Sequence, residues 1–235
     1  MTSEVIELVN RFSAVSDEDV EAYTNAQNVQ FTRDVAPIWG SCPNVTFRPG
    51  ASKPSPNAIP AWLSDTLDVD GALGYHDEDK GVPYIKVANV DGYDWRTTAS
   101  HECLELKGDQ PANVWALGPK GSSMVAYELC DPVEGDSYEI NGIPMSNFVL
   151  PAWFDPQAPA GSRFDFLGKL SKPFTMSAGG YLIVWTVRGQ PTEQFGAHVR
   201  EIAPNLHVHF GPDVSEKRRE GIVSKYKKTG RRAPK

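Results

Sequence analysis

Cysteine is scarce in this chain: three in 235 residues, Cys42, Cys103 and Cys130. So small and odd a number cannot build a disulfide framework, and reduced thiols are the expectation. No apolar run approaches the ~18 residues that a membrane span requires. The opening stretch MTSEVIELVNRFSAVSDEDV places acids where a secretory signal has a basic start and an apolar centre. A cytoplasmic protein without a membrane partner is therefore expected. No G-x-x-x-x-G-K-[ST] or G-x-G-x-x-G string follows a strand candidate, so a nucleotide site has no support in the sequence. The absence of a G-x-S-x-G elbow removes the commonest serine-hydrolase signature.

What is present is ordinary in amount and uneven in placement. Hydrophobic residues make up 40% and charged residues 23%, enough to build a core. The net charge of −7 divides into +6 over Pro212–Lys235 and −13 over the rest. An acidic body with a basic tail is a statement about partners. A solvated appendage is the first reading of that tail, an assembly partner the second, and nucleic acid the least favoured.

Three segments are expected: an N-terminal helical segment over 1–27, a main domain over 28–211 and the basic tail over 212–235. Val5, Ile6, Leu8, Val9 and Phe12 recur at near-helical spacing, which predicts a short helix over Ser3–Val15. Ser16 is placed to cap a second helix. From Asn28, VQFTRDVAPIWG and NVTFRP read as extended or loop-bound. AWLSDTLDVDGALGYHD reads as strand, turn and strand, and PYIKVANV as a further strand. DWRTTASHECLELK (94–107) is the one strong helix of the middle region, ending before Gly108. NVWALG, MVAYELC, NFVLPAWF and GGYLIVWTV give a strand-rich second half, with Pro151–Gly161 a loop or an edge. The class expected is α+β.

The chemistry concentrates in Ser100-His101-Glu102-Cys103-Leu104-Glu105. On a helix His101 and Glu105 lie about 40° apart and share a face, which is how one helix offers two ligands to a metal. Glu102 lies about 100° from His101 and can reach a water at the same ion. In HExxH the two histidines bind zinc and the glutamate is the general base. Here the pattern is HExxE, and a carboxylate is a legitimate zinc ligand. Taken alone, the string also fits a solvated helix face. A third ligand is available in Tyr127–Asp136: Glu128 first, Asp131 second, with Asp131 and Asp136 otherwise read as turn formers beside Pro132 and Gly135.

DVAPIWG (34–40), GALGYHD (71–77), SHECLEL (100–106), YELCDPVEGDSY (127–138), SNFVLPAWFDP (146–156) and GGYLIVW (179–185), taken in order, resemble a family of uncharacterised zincin-like proteins of bacterial and tailed-phage genomes. The resemblance covers about residues 28 to 186. It implies a zincin-like core in which GALGYHD is the upper strand above the metal helix, along which an extended peptide could add. It further implies a zinc ion held by His101 and Glu105, completed by Glu128 or Asp131, with Glu102 as base. The function it implies is metal-dependent peptide hydrolysis; the alternative is an inactive structural or assembly protein, such as a virion component, that retains the scaffold.

The other polar residues have plainer readings. His76 is read first as a surface-loop residue and second as lining the cleft. His207 and His209 share a strand face, and a metal there is not favoured without a third ligand. His198 reads as an ordinary strand or turn residue. Cys103, about 160° from His101, faces the core. Cys130, between the two candidate ligands, is harder to dismiss as inert. A Cys103–Cys130 disulfide is conceivable but has no positive support. Tyr138 could serve an oxyanion, although packing is favoured.

Overall fold

In the computed structural model residues 4–69, 71–119, 121, 123–186, 192–195 and 198–201 are described, with side chains as far as Trp185. His207, His209 and the basic stretch 212–235 lie outside the described residues. The architecture is mixed α+β.

β1 (Val5–Arg11) occupies the segment for which the spacing predicts a helix. The reason is burial on both faces. β1 sits inside a five-stranded sheet, paired in parallel with β2 (Asn44–Phe47) on one side and β3 (Ile59–Ser64) on the other. A strand covered on both sides loses the period-two signature and reads as a continuous apolar run. Ile6, Leu8 and Val9 are almost fully buried, and Glu7 is tolerated because Arg48 reaches it at 2.8 Å. β3 continues in parallel to β5 (Val82–Ala88), and β4 (Gly74–Asp79) closes the edge in antiparallel pairing with β5.

α1 (Asp17–Val29) begins where expected, Ser16 accepting a hydrogen bond from the Asp19 amide at 3.1 Å. It does not stop at Asn28. The chain winds on through a π-helical stretch, Gln30–Val35, into α2 (Ala36–Trp39), so the extended reading of 28–39 is corrected. Phe31 and Val35 are fully buried, and that packing overrides the weak helix propensity of the β-branched and aromatic residues. Pro37 explains the wider turn: it lacks an N–H, and its ring would press on the carbonyl of Arg33 in a regular α-helix.

α3 (Trp95–Gly108) is capped by Asp94, whose carboxylate accepts from the Arg96 amide at 2.9 Å. Every residue from Thr98 to Leu106 is buried. The helix packs between β4 and β5 on one side and β9 (Ile143–Ser146) on another. It takes in Gly108 and is terminated by Asp109, one residue beyond the expected end. β6 (Trp115–Leu117) and β7 (Ser123–Ala126) join β10 (Leu182–Thr186), β11 (Thr192–Phe195) and β12 (His198–Glu201) in an antiparallel sheet, and β8 (Ser137–Ile140) pairs with β9 as a hairpin. The aromatic PAWF is a 3-10 turn rather than a strand; its Trp153 is fully buried and donates to the Thr175 carbonyl at 2.8 Å. Among the described residues no helix is long and apolar enough to cross a membrane.

Candidate metal centre

α3 presents His101, Glu102 and Glu105 to one buried region. The Nε2 of His101 lies 2.8 Å from Oε1 of Glu105 and 3.3 Å from Oδ1 of Asp131. The segment carrying Glu128, Cys130 and Asp131 is brought there by local backbone bonds. The Val149 amide donates to the Leu129 carbonyl at 2.7 Å, and the Tyr181 amide to the Asp131 carbonyl at 2.9 Å. Gly180 permits the second contact, because a Cβ there would press into the Pro132 and Asp131 carbonyl oxygens. Asp131 itself opens a short 3-10 turn with Pro132 and Val133.

The sequence-predicted residues His101, Glu102, Glu105, Glu128 and Asp131 are all buried. The solvated-face reading of HExxE therefore does not describe this helix. The ligand atoms of His101, Glu105 and Cys130 all lie within 4.8 Å of one another. Cys103 points the other way, receiving the Tyr23 hydroxyl at 3.7 Å, and burial pushes its thiol up to about 12. All three cysteines are free thiols, so no Cys103–Cys130 bridge is present.

His76 is the residue whose first reading fails. It is fully buried on β4 and shares a strand face with Gly74, both turned towards α3. Its Nδ1 stands 3.5 Å from Oε2 of Glu102 and 3.7 Å from Oε2 of Glu105. Its Nε2 lies 3.1 Å from the Asp109 carbonyl, which can only accept, so Nε2 carries the proton and Nδ1 faces the carboxylates. The signal for this was the i, i+2 relation of Gly74 and His76. A small residue beside a histidine on one strand face lets a helix approach closely, and a Cβ on Gly74 would meet Oε1 of Glu102 at 2.9 Å.

Tyr138 is committed elsewhere. Its hydroxyl donates to Asp34 at 2.7 Å and accepts from Gln30 at 3.2 Å. Ser100, beside His101, links the same network, donating to Gln30 at 2.8 Å and accepting from the Ser146 amide at 3.1 Å. This network locks α3 to the π-helical stretch that follows α1 and to β9. Asp136 is half-buried, and its carbonyl accepts from the Asn147 amide at 2.9 Å.

The electrostatics of the cluster are severe. Burial, followed by the neighbouring Asp131, Glu128 and Glu102 charges, holds Glu105 well above the usual carboxylate range. Glu102 is raised chiefly by burial, against the opposing pull of His76 and His101. Burial works to lower His76, but Glu102, Glu128 and Asp109 outweigh it and hold it at about 9. No lysine or arginine is among the buried described residues. Buried carboxylates cost several kcal/mol each unless compensated, so a divalent cation fits this donor set on charge grounds. It fits on spacing too. Donor atoms around an ion at about 2.1 Å stand roughly 3 to 3.5 Å apart, near the separations seen around His101 and His76.

Compared with models of protein families, with curated proteins and with solved structures, the chain matches none.

Proposed function

We propose that this chain is a zinc-binding, zincin-like protein that hydrolyses peptide bonds. The observation that carries the reading is the convergence of His101 and Glu105 of α3 with Asp131 in one buried region, with Glu102 on the same helix. His101 and Glu105 would hold the ion with Asp131, whose oxygen stands 3.3 Å from His101, or Glu128 as the third ligand, and Cys130 within reach. A zinc ion held there would supply Lewis acidity for a carbonyl and would bring the pKa of a water to about 7. Glu102 would be the group that takes up a proton from water and returns it to the leaving amine. β4, the antiparallel edge strand next to α3, is the place for an extended peptide to add, in keeping with the upper-strand role that the resemblance implies.

One observation favours a second reading, a scaffold that binds metal and assembles with a partner. The side chains of His76, His101, Glu102, Glu105 and Asp131 are each at most 5% exposed, so a peptide reaches them only if covering segments move. Elemental analysis and turnover of a peptide library separate the two. At least one zinc per chain with cleavage supports the hydrolase. Zinc without cleavage, together with stoichiometric copurification with a particle, supports the scaffold. A folded chain that takes up no metal overturns both.

A further inference from the structure

We infer that the buried cluster binds two divalent cations, with the Glu105 carboxylate bridging them. The inference rests on the reading of α3 as a metal-binding helix and adds a second site on its β4 side.

The carboxylate of Glu105 is shared between two histidines on different elements. Oε1 faces Nε2 of His101 at 2.8 Å, while Oε2 faces Nδ1 of His76 at 3.7 Å. A carboxylate that offers one oxygen to each of two histidine nitrogens has the arrangement of a bridge in two-metal centres, whose ions sit about 3.5–4 Å apart. The two donor groups are separate apart from it: His101, Glu105 and Cys130 on one side, His76, Glu102 and Glu105 on the other.

A second observation points to the β4 side independently. Glu102 is 1% exposed, yet neither carboxylate oxygen receives a hydrogen bond of normal length and angle from a described residue. Its Oε2 is instead directed at Nδ1 of His76 from 3.5 Å, a separation suited to two ligands of one ion. His76 is oriented for that role, because its other ring nitrogen is anchored on the Asp109 carbonyl. That is the outer partner that metal-bound histidines usually have. Asp109 is itself fixed, its carboxylate accepting from the Asn113 and Val114 amides at 3.1 and 2.7 Å.

Charge supports the count. Glu102, Glu105, Glu128 and Asp131 are four buried acidic groups, which two divalent ions can balance once they displace the protons that these groups and His76 hold. Imidazole and carboxylate donors on the β4 side suit zinc, manganese or ferrous iron, with the harder ions less disfavoured than at a thiolate site. Glu102 is then a ligand of the second ion, and it acts as the base only when the first alone is bound.

The test uses the full chain, stripped with a chelator and titrated separately with Zn²⁺ and Mn²⁺, with bound metal counted after desalting. The wild type is expected to take two equivalents, and the Mn²⁺ form to show the electron paramagnetic resonance of a coupled pair. His76→Ala and Glu102→Gln are each expected to take one, and Glu105→Ala to lose both, with circular dichroism confirming that the variants fold. Saturation of the wild type at one equivalent overturns the second site and leaves the single centre standing. Two equivalents retained in both His76→Ala and Glu102→Gln also overturn it. No uptake by the folded wild type overturns the metal reading as a whole.

Discussion

Single side chains here divide into those that carry chemistry and those that hold the scaffold around it. Glu102 belongs to the first group. Glu102→Gln should reduce peptide hydrolysis about 10²–10⁴-fold while the ion on the His101 side stays bound, as measured by turnover alongside metal content. His101→Ala should remove that ion altogether. Retained activity in Glu102→Gln would remove it from the role of base. Asp165 belongs to the second group. Fully buried, it accepts from Asn147 Nδ2 at 2.9 Å and from the amides of Leu167, Lys169 and Leu170 at 2.7–3.1 Å. Asp165→Ala strands those donors and should destabilise the fold by about 3 kcal/mol in urea denaturation, with metal affinity little changed. A loss under 1 kcal/mol would mean that water replaces the carboxylate.

At the scale of elements, the contact between β4 and α3 sets the site. Gly74 allows it, since a Cβ would meet Thr98 Cγ2 at 2.7 Å as well as Glu102. Thr98 is β-branched and held on a helix, so it yields little. Gly74→Ala should therefore cost about 1–3 kcal/mol of stability and displace Glu102, lowering hydrolysis even though no ligand is altered. Unchanged turnover with unchanged stability would show that β4 is free to shift. The start of α3 is a smaller effect. Asp94→Ala removes the cap and its bond to the Arg96 amide and should cost about 1 kcal/mol in thermal or urea melts.

For the molecule as a whole, metal binding and folding are coupled. An ion that binds only the folded chain stabilises it by about 4 kcal/mol when its free concentration is a thousandfold above Kd. Chelation should thus lower Tm, added zinc should restore it, and Glu105→Ala, which loses a donor to both groups, should respond to neither. Acid sensitivity has a separate source in β1. Burial alone would raise Glu7, but bonds from Ser55 and Arg48 outweigh it and set its pKa below the usual 4.5. A depressed carboxylate stabilises the folded state above its unfolded pKa, and that stability is lost as pH falls through the folded value. Wild type should exceed Glu7→Gln in stability at pH 7, with the gap closing below pH 4.5. A gap that persists at pH 3 would assign the difference to packing.

Local patterns determined a good part of this protein. The α+β class, the Ser16 cap, the strands at 44–47, 59–64 and 82–88, and the α3 spacing that puts His101 and Glu105 on one face all follow from near neighbours in the chain. Tertiary structure decided what depends on distant partners. β1 is a strand because a parallel sheet covers both of its faces, which erases the periodicity that separates strand from helix. Residues 28–39 are helical because Phe31 and Val35 are needed in the core. The pairing of β4 with β5 turned His76 inwards to Glu102 and Glu105, although in the sequence it reads first as a surface-loop histidine. Bonds from Val149 and Tyr181 set Asp131 beside His101. Neither relation is visible in spacing, because residues 26 to 30 positions apart meet only through the sheet and loops that carry them.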